Sequence, residues 1–107
     1  DIVEPVAKAV SSGKADRGIL LCGSGIGASI TANKFPRVRA SVCHDFYSAQ
    51  QGVEHDDMNI ICIGARVINE EKAVKIIELF LSAKFNLKEE KYKRRLNKLI
   101  NIEKKYK

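Results

Sequence analysis

Residues 22–29, Cys-Gly-Ser-Gly-Ile-Gly-Ala-Ser, bring a thiol, two hydroxyls and three glycines together directly after the apolar residues 19–21. The apolar run predicts a strand buried on both faces, and residues 28–34 are expected to form a helix. Backbone N–H groups at the start of a helix have no intrahelical partner and lie at the positive end of its dipole. The segment therefore predicts an anion-binding site with Cys22 beside it.

Cys22 has two interpretations. A lone cysteine most often packs in a core, but a helix N-terminus favours the thiolate, which can act as a base or a nucleophile. Cys43 and Cys62 lack this setting, so we expect both to pack in the core. The sequence contains no C-x-x-C pair and no closely spaced pair of histidines, so we expect no metal and no cofactor.

The glycine run is compatible with more than one kind of site. A Walker phosphate loop is excluded because no Gly-Lys-Ser/Thr follows the glycines. A dinucleotide-binding fingerprint is partly met by Gly23, Gly25 and Ala28, with Asp45 following about 20 residues later. A small phosphorylated or carbonyl-bearing substrate could also bind the N–H groups. A tight turn between a strand and a helix is the alternative without function.

His55 is the second candidate for acid–base chemistry. It lies in Glu54-His55-Asp56-Asp57, of which residues 55–57 are expected to form a polar loop before a buried strand. The neighbouring carboxylates can orient its imidazole. A surface histidine without a chemical role is the alternative interpretation.

Hydrophobic periodicity predicts strands that alternate with helices. The predicted elements are a helix over 1–11, a strand over 19–22, a helix over 28–34, a strand over 38–43, a helix over 46–54, a strand over 59–64, a helix over 70–81 capped by Asn69, and a helix from 88. This order indicates an α/β fold with a three-layer, doubly wound, Rossmann-like parallel sheet and a C-terminal helix, in one domain of residues 1–107. Because three strands are few, we expect that an N-terminal strand–helix–strand unit is lacking or that a partner chain covers the sheet edge.

The net charge of +6 originates in residues 88–107, since the rest of the chain is balanced. The basic run 91–95 could bind nucleic acid, but an apolar stripe from Tyr92 to Tyr106 favours packing on a partner subunit. We therefore expect that the protein does not bind nucleic acid.

No apolar run reaches the ~20 residues of a membrane helix and no signal-peptide pattern is present, so we expect no association with a membrane and a cytoplasmic location. Three cysteines, an odd number, favour reduced thiols.

Several motifs together resemble type B ribose-5-phosphate isomerase, whose wider family includes the allose- and galactose-6-phosphate isomerases. They extend over almost the whole chain and comprise residues 18–27 (GILLCGSGIG), 32–34 (ANK), 39–45 (RASVCHD), 47–49 (YSA), 54–55 (EH) and 64–68 (GARVI). The resemblance implies an aldose–ketose isomerase of the pentose phosphate pathway, which interconverts ribose 5-phosphate and ribulose 5-phosphate through a cis-enediolate. A galactose- or allose-6-phosphate isomerase, or a nucleotide-binding α/β module without this chemistry, is the alternative.

The resemblance also implies roles for individual residues. Cys22 corresponds to the base that moves a proton between C2 and C1, and Ala28 stands where another branch has a glutamate base. His55 corresponds to the acid that opens the sugar ring. The implied catalytic residues are Cys22, His55 and Ser24, and the implied substrate-binding residues are Gly23, Ser24, Gly25, Ile26, Gly27, Asp56, Arg66, Lys91 and Arg95. The active site is implied to be shared between the subunits of a homodimer or tetramer.

The chain departs from the family pattern in three places. The opening strand of the family, with its Asp-His pair, has no counterpart in the sequence. Asp56 stands where an asparagine is usual, so a carboxylate replaces an amide. The pattern Gly-Gly-Arg-His-Gln-x-Arg appears as residues 89–95, EEKYKRR, which leaves Lys91 and Arg95 as the phosphate ligands. Lys91 then supplies a point charge in place of a bidentate guanidinium.

Overall fold

The computed structural model describes residues 2–107, in which helices and strands alternate as the periodicity predicts. The elements are α1 (Val3–Ser11), β1 (Gly18–Cys22), α2 (Ile26–Ala32), β2 (Ala40–Val42), α3 (Phe46–Asp56), β3 (Ile60–Gly64), α4 (Glu70–Ser82) and α5 (Glu90–Tyr106). Asn69 caps α4 as predicted, because its side chain accepts a hydrogen bond from the backbone N–H of Lys72 at 2.8 Å.

The three strands form one parallel sheet in the order β1-β3-β2. Cys22, the last residue of β1, pairs with Gly64, the last residue of β3. Because all the strands run in the same direction, their carboxyl ends meet at one edge of the sheet, which we call the carboxyl edge. The amino ends of the strands form the opposite, amino edge.

Helices cover both faces of the sheet, so the predicted three-layer, doubly wound fold is confirmed. Every residue of the central strand β3 is buried, and its side chains alternate between two cores. Ile61 and Ile63 pack beneath α3 and α4, whereas Ile60 and Cys62 pack beneath α1 and α2. This continuous burial explains why β3 is apolar at four successive positions.

The prediction that β1 is buried on both faces is wrong. Leu20 is buried beneath α1 and α2, but the neighbouring Leu21 is 52% exposed. β1 lies at the edge of the sheet, and the α3–α4 layer packs mainly on β3, with Ile19 of β1 partly buried against it. An apolar run alone does not distinguish an edge strand from a central one.

The prediction that residues 55–57 form a loop is also wrong, because α3 continues to Asp56. His55 and Asp56 therefore belong to the last turn of this helix. Asp57 ends the helix in the left-handed conformation, with φ of 53°, and its carboxylate and carbonyl oxygens accept hydrogen bonds from Arg39. Aspartate tolerates this conformation better than most residues, so the helix can run on to Asp56.

The C-terminal helix α5 contacts the rest of the chain at its two ends. Tyr92 is its buried residue and packs against α3. Near the other end, the Glu103 carboxylate accepts a hydrogen bond from the backbone N–H of Arg37 at 2.9 Å, and Lys107 donates to Asn33. Within residues 2–107, no helix is both long and apolar enough to cross a membrane.

Candidate active site

Cys22 lies at the carboxyl edge and is half-buried. Its sulfur accepts a hydrogen bond from the backbone N–H of Gly25 at 3.1 Å. The residue lines an open cleft of about 540 Å³, together with Gly23, Ser24, Gly27 and Arg66. The thiol is thus accessible from the cleft and is stabilised, when it ionises, by a backbone donor.

The glycines after Cys22 shape the start of α2. Gly25 has φ of +85°, a conformation that favours glycine, and from there the chain enters the helix. The Ser24 hydroxyl oxygen accepts a hydrogen bond from the Ile26 N–H at 3.3 Å. Gly27 has open space around the position of a side chain, and it lies in the first turn, where backbone N–H groups have no intrahelical partner. These groups can therefore serve as donors to an anion in the cleft.

Residues 64–66 lie directly against this loop and hold it in place. Ala65 and Arg66 donate backbone hydrogen bonds to the carbonyls of Cys22 and Gly23, at 2.6 and 3.1 Å. A methyl group on Gly64 would lie 2.7 Å from the carbonyl oxygen of Ser24, so only glycine fits there. The guanidinium of Arg66 lies beside Gly23, where a methyl group would be 3.3 Å from its Cζ. Residues 22–27 and Arg66 are called the glycine-loop site below.

His44 supports this arrangement, although the sequence analysis did not select it. The backbone N–H of Gly64 donates to Nε2 of His44 at 2.8 Å. This hydrogen bond requires an unprotonated Nε2 and fixes the residue that packs against the glycine loop. Its position was available as a signal: His44 follows β2 closely, and side chains there approach the carboxyl end of the neighbouring β3.

The other two cysteines differ from Cys22, as predicted. Both are buried, and neither lines the cleft. Burial, together with the nearby Cys22 and Cys43 thiols, raises the pKa of Cys62 to about 12. Burial, with a further contribution from the Asp45 carboxylate, also raises the pKa of Cys43. Their thiols therefore stay protonated at neutral pH and pack as small apolar groups.

A second group of predicted residues meets between α3 and α5. The rings of His55 and Tyr92 stack with centroids 4.1 Å apart and planes 9° from parallel. Lys91 Nζ and Arg95 Cζ lie 5.2 and 5.8 Å from the centre of the Tyr92 ring. The structure thus brings the candidate acid and both candidate phosphate ligands to one aromatic ring. His55, Lys91, Tyr92 and Arg95 are called the aromatic site below.

Asp56 is exposed and, although it follows His55 in α3, it does not line the cleft beside Cys22. It lines a groove of about 560 Å³ between β2, α3 and α5. The preceding His55 instead contacts Tyr92 and the Gln51 side chain, whose amide nitrogen is 3.1 Å from Nδ1.

The glycine-loop site and the aromatic site lie at opposite edges of the sheet. Cys22 ends β1 at the carboxyl edge. The helix α3 runs back from that edge, so His55 in its last turn lies beside the amino end of β3. β3 has five residues and is therefore about 13 Å long, which is the spacing between the two edges of the sheet along the strand direction. Within residues 2–107, no three His, Cys, Asp or Glu side chains are grouped as metal ligands would be.

The fold and the glycine-loop site define a class of protein: a doubly wound α/β domain with a thiol beside a backbone anion site. Residues 1–99 match the sequence profile of the Ribose/Galactose Isomerase family. The chain therefore belongs to this family.

Individual relatives agree with this assignment. The chain is 48% identical over 80 residues to ribose-5-phosphate isomerase B of Escherichia coli, covering 75% of this chain and 54% of the relative. It is also 48% identical over 85 residues to D-erythrulose-4-phosphate isomerase of Pectobacterium atrosepticum, covering 79% and 56%. The chain thus spans little more than half the length of these relatives.

A solved structure shows the same fold over almost the whole chain. The type B ribose 5-phosphate isomerase from Trypanosoma cruzi superposes with a TM-score of 0.94 and 43% identity, covering 99% of this chain and 70% of that one.

Proposed function

We propose that the protein is an aldose–ketose isomerase of the ribose-5-phosphate isomerase type, with Cys22 as the base. The observation that carries this proposal is Cys22, which lines the cleft and whose sulfur accepts a hydrogen bond from the Gly25 N–H. A thiolate held in this way can remove a proton from C2 of an open-chain aldose. Returning that proton to C1 gives the ketose.

The backbone of the glycine loop supports the same chemistry. Removal of the C2 proton leaves an enediolate, whose charge develops on an oxygen. Backbone N–H groups at the start of α2 provide fixed donors for that oxygen, and fixed donors stabilise a transition state more effectively than mobile water does. The Ser24 hydroxyl lines the same cleft and can carry the second proton between O1 and O2, which the conversion also requires.

The separation of the two sites supports an active site shared between two copies of the chain. A base and a ring-opening acid that act on one sugar must both come within hydrogen-bond reach of it. Within one chain, Cys22 and His55 lie at opposite edges of the sheet, with the length of β3 between them. In a symmetric dimer, His55 of one copy can complete the site around Cys22 of the other, and two equivalent sites result.

The remaining proposed ligands agree with a phosphorylated substrate. Lys91 and Arg95 are exposed cations that lie, like His55, against the Tyr92 ring, so they can bind the phosphate while His55 donates a proton to the ring oxygen. Arg66 at the glycine loop can bind the sugar oxygens, and Asp56, the next residue after His55 in α3, is the remaining proposed substrate ligand.

Three apolar residues of α5 are exposed and suit a helix that packs on a partner subunit, in a dimer or a tetramer: Leu99, Ile102 and Tyr106. Three unpaired cysteines suit a reducing cytoplasm.

A pair of variants of the complete protein tests both the base and the shared site. Cys22→Ala and His55→Ala are each expected to reduce conversion of ribose 5-phosphate by at least about 100-fold. When the two inactive variants are unfolded, mixed and refolded, mixed dimers contain one intact site. The mixture should then recover about a quarter of the wild-type activity.

Two outcomes would contradict this proposal. Near-normal activity of Cys22→Ala would exclude the thiol as the base. Failure of the mixture to recover activity, with dimers present, would place both residues in one chain.

The same assay determines the chain length of the preferred sugar when it is repeated with erythrulose 4-phosphate, galactose 6-phosphate and allose 6-phosphate. Stabilisation of the protein against heat by NAD, and not by sugar phosphates, would favour a nucleotide-binding module.

A further inference from the structure

Tyr92 is the residue on which the aromatic site is built. It is the buried residue of α5 and is only 9% exposed, whereas Lys91 and Arg95 on the same helix are exposed. Its ring contacts three side chains that the proposed function uses: one by stacking and two as cations within 6 Å of the ring centre.

The stacking leaves His55 with little freedom. One face of the imidazole is covered by the Tyr92 ring, nearly parallel to it. The Gln51 side chain, one turn earlier on α3, contacts Nδ1. With one face and one nitrogen engaged, Nε2 is the nitrogen left to act on a substrate. The imidazole is therefore held at a fixed angle between α3 and α5 before any substrate binds.

We propose that Tyr92 is a positioning residue for ring opening: it holds the His55 imidazole against its ring and keeps Lys91 and Arg95 next to the same ring. This inference rests on the proposed function. A proton delivered from His55 to the ring oxygen breaks the bond between that oxygen and C1, and the C1 hydroxyl gives its proton to water to form the aldehyde. The step requires a correctly placed donor, whereas the later proton transfer at Cys22 does not involve Tyr92.

The separation of the two steps gives a direct test. Ribulose 5-phosphate has no free hydroxyl that could close a five-membered ring, so exchange of its C1 proton with D₂O requires the base Cys22 but no ring-opening acid. Tyr92→Leu should lower kcat for ribose 5-phosphate by about 10- to 100-fold, because small displacements of a catalytic group have effects of this size. Exchange at C1 of saturating ribulose 5-phosphate, followed by NMR, should change less than about threefold. Tyr92→Phe keeps the flat ring and should restore both rates.

A double-mutant cycle shows whether Tyr92 acts through His55. In a His55→Ala background, Tyr92→Leu should cause no further loss of kcat with ribose 5-phosphate, because the residue it positions is absent. KM should still rise, since Lys91 and Arg95 lose their support. Additive losses of kcat, or equal losses of conversion and C1 exchange in Tyr92→Leu, would overturn the positioning role.

The stack can be measured without activity. In wild-type protein, the ring protons of His55 should be shifted upfield by the Tyr92 ring, and Tyr92→Leu should abolish this shift while His44 is unchanged. Unshifted His55 signals in the wild type would overturn the proposal. If Tyr92→Leu does not fold, Tyr92→Met fills the same space without a planar face and takes its place. If the wild type is active and Tyr92→Leu is unimpaired, only the positioning role of Tyr92 is contradicted. If the wild type is inactive, the proposed function itself is contradicted.

Discussion

The glycine-loop site and the aromatic site are built by different means. In the glycine-loop site, backbone groups dominate: three glycines, the start of α2 and the adjacent residues 64–66. In the aromatic site, side chains of two helices meet on one tyrosine ring. Backbone held by a sheet cannot adjust to an added atom, but long side chains can. We therefore expect single substitutions in the glycine-loop site to cause large losses of activity, and single substitutions in the aromatic site to cause smaller, partial losses.

Gly64→Ala should break the glycine-loop site most completely. The added methyl group would lie within 2.9 Å of the carbonyl oxygens of both Ser24 and Gly23, so the loop must move. We expect activity to fall by about 100-fold and the free energy of unfolding by about 2 kcal/mol. Activity assays and thermal unfolding measure the two effects.

Gly27→Ala is the matched control for stability, since open space surrounds that position. Its free energy of unfolding should stay the same or rise slightly, because alanine favours a helix. A Gly64→Ala variant as stable and active as the wild type would show that the loop is not packed as described.

Thiol labelling should distinguish the glycine-loop site from the core beside it. Iodoacetamide reacts with thiolates, and Cys22 is accessible from the cleft, whereas Cys43 and Cys62 are buried with raised pKa values. Native protein at neutral pH should gain one label per chain, and unfolded protein three, by intact mass. Native Cys22→Ser should gain none. Rapid labelling of Cys62 in the native protein would contradict its burial.

Arg95→Gln should weaken the aromatic site without destroying it. Loss of one charged phosphate ligand is expected to raise KM for ribose 5-phosphate by about 10-fold and to leave kcat nearly unchanged. Arg94→Gln removes the same charge from the neighbouring exposed position of α5 and serves as the control. Equal KM values for the two variants would show that Arg95 contributes only to the overall charge.

The last expected effect concerns stability at alkaline pH, where activity is not the readout. The Cys62 thiol has a pKa of about 12 in the folded protein and about 9 when unperturbed. A raised pKa means that the protonated thiol stabilises the fold below pH 9 and that this contribution is lost as pH rises from about 9 to 12. Cys62→Val cannot ionise, so its melting temperature should fall less than that of the wild type over this range. Identical slopes would contradict the assignment.

The local sequence pattern was sufficient to predict most of the helices and strands, but not which of their residues are buried or where each helix ends. The alternation of strands and helices, the capping of α4 by Asn69 and the burial of Cys43 and Cys62 all follow from short stretches of sequence. The exposure of Leu21 does not, because it depends on which strand lies at the sheet edge. The length of α3 cannot be read from a short stretch of sequence either. Asp57 ends this helix while its oxygens accept hydrogen bonds from Arg39, which is distant in sequence.

Within the candidate site, the residue types were predictable and their grouping was not. The sequence by itself determined the thiol beside a glycine loop, the candidate acid His55 and the basic residues near 91–95, because each depends on adjacent residues. Only the tertiary structure decided that Tyr92 joins His55 to Lys91 and Arg95, that His44 supports Gly64, and that the two sites lie at opposite edges. The physical reason is that strand order and helix direction set these distances, and both arise from packing between residues far apart in the chain.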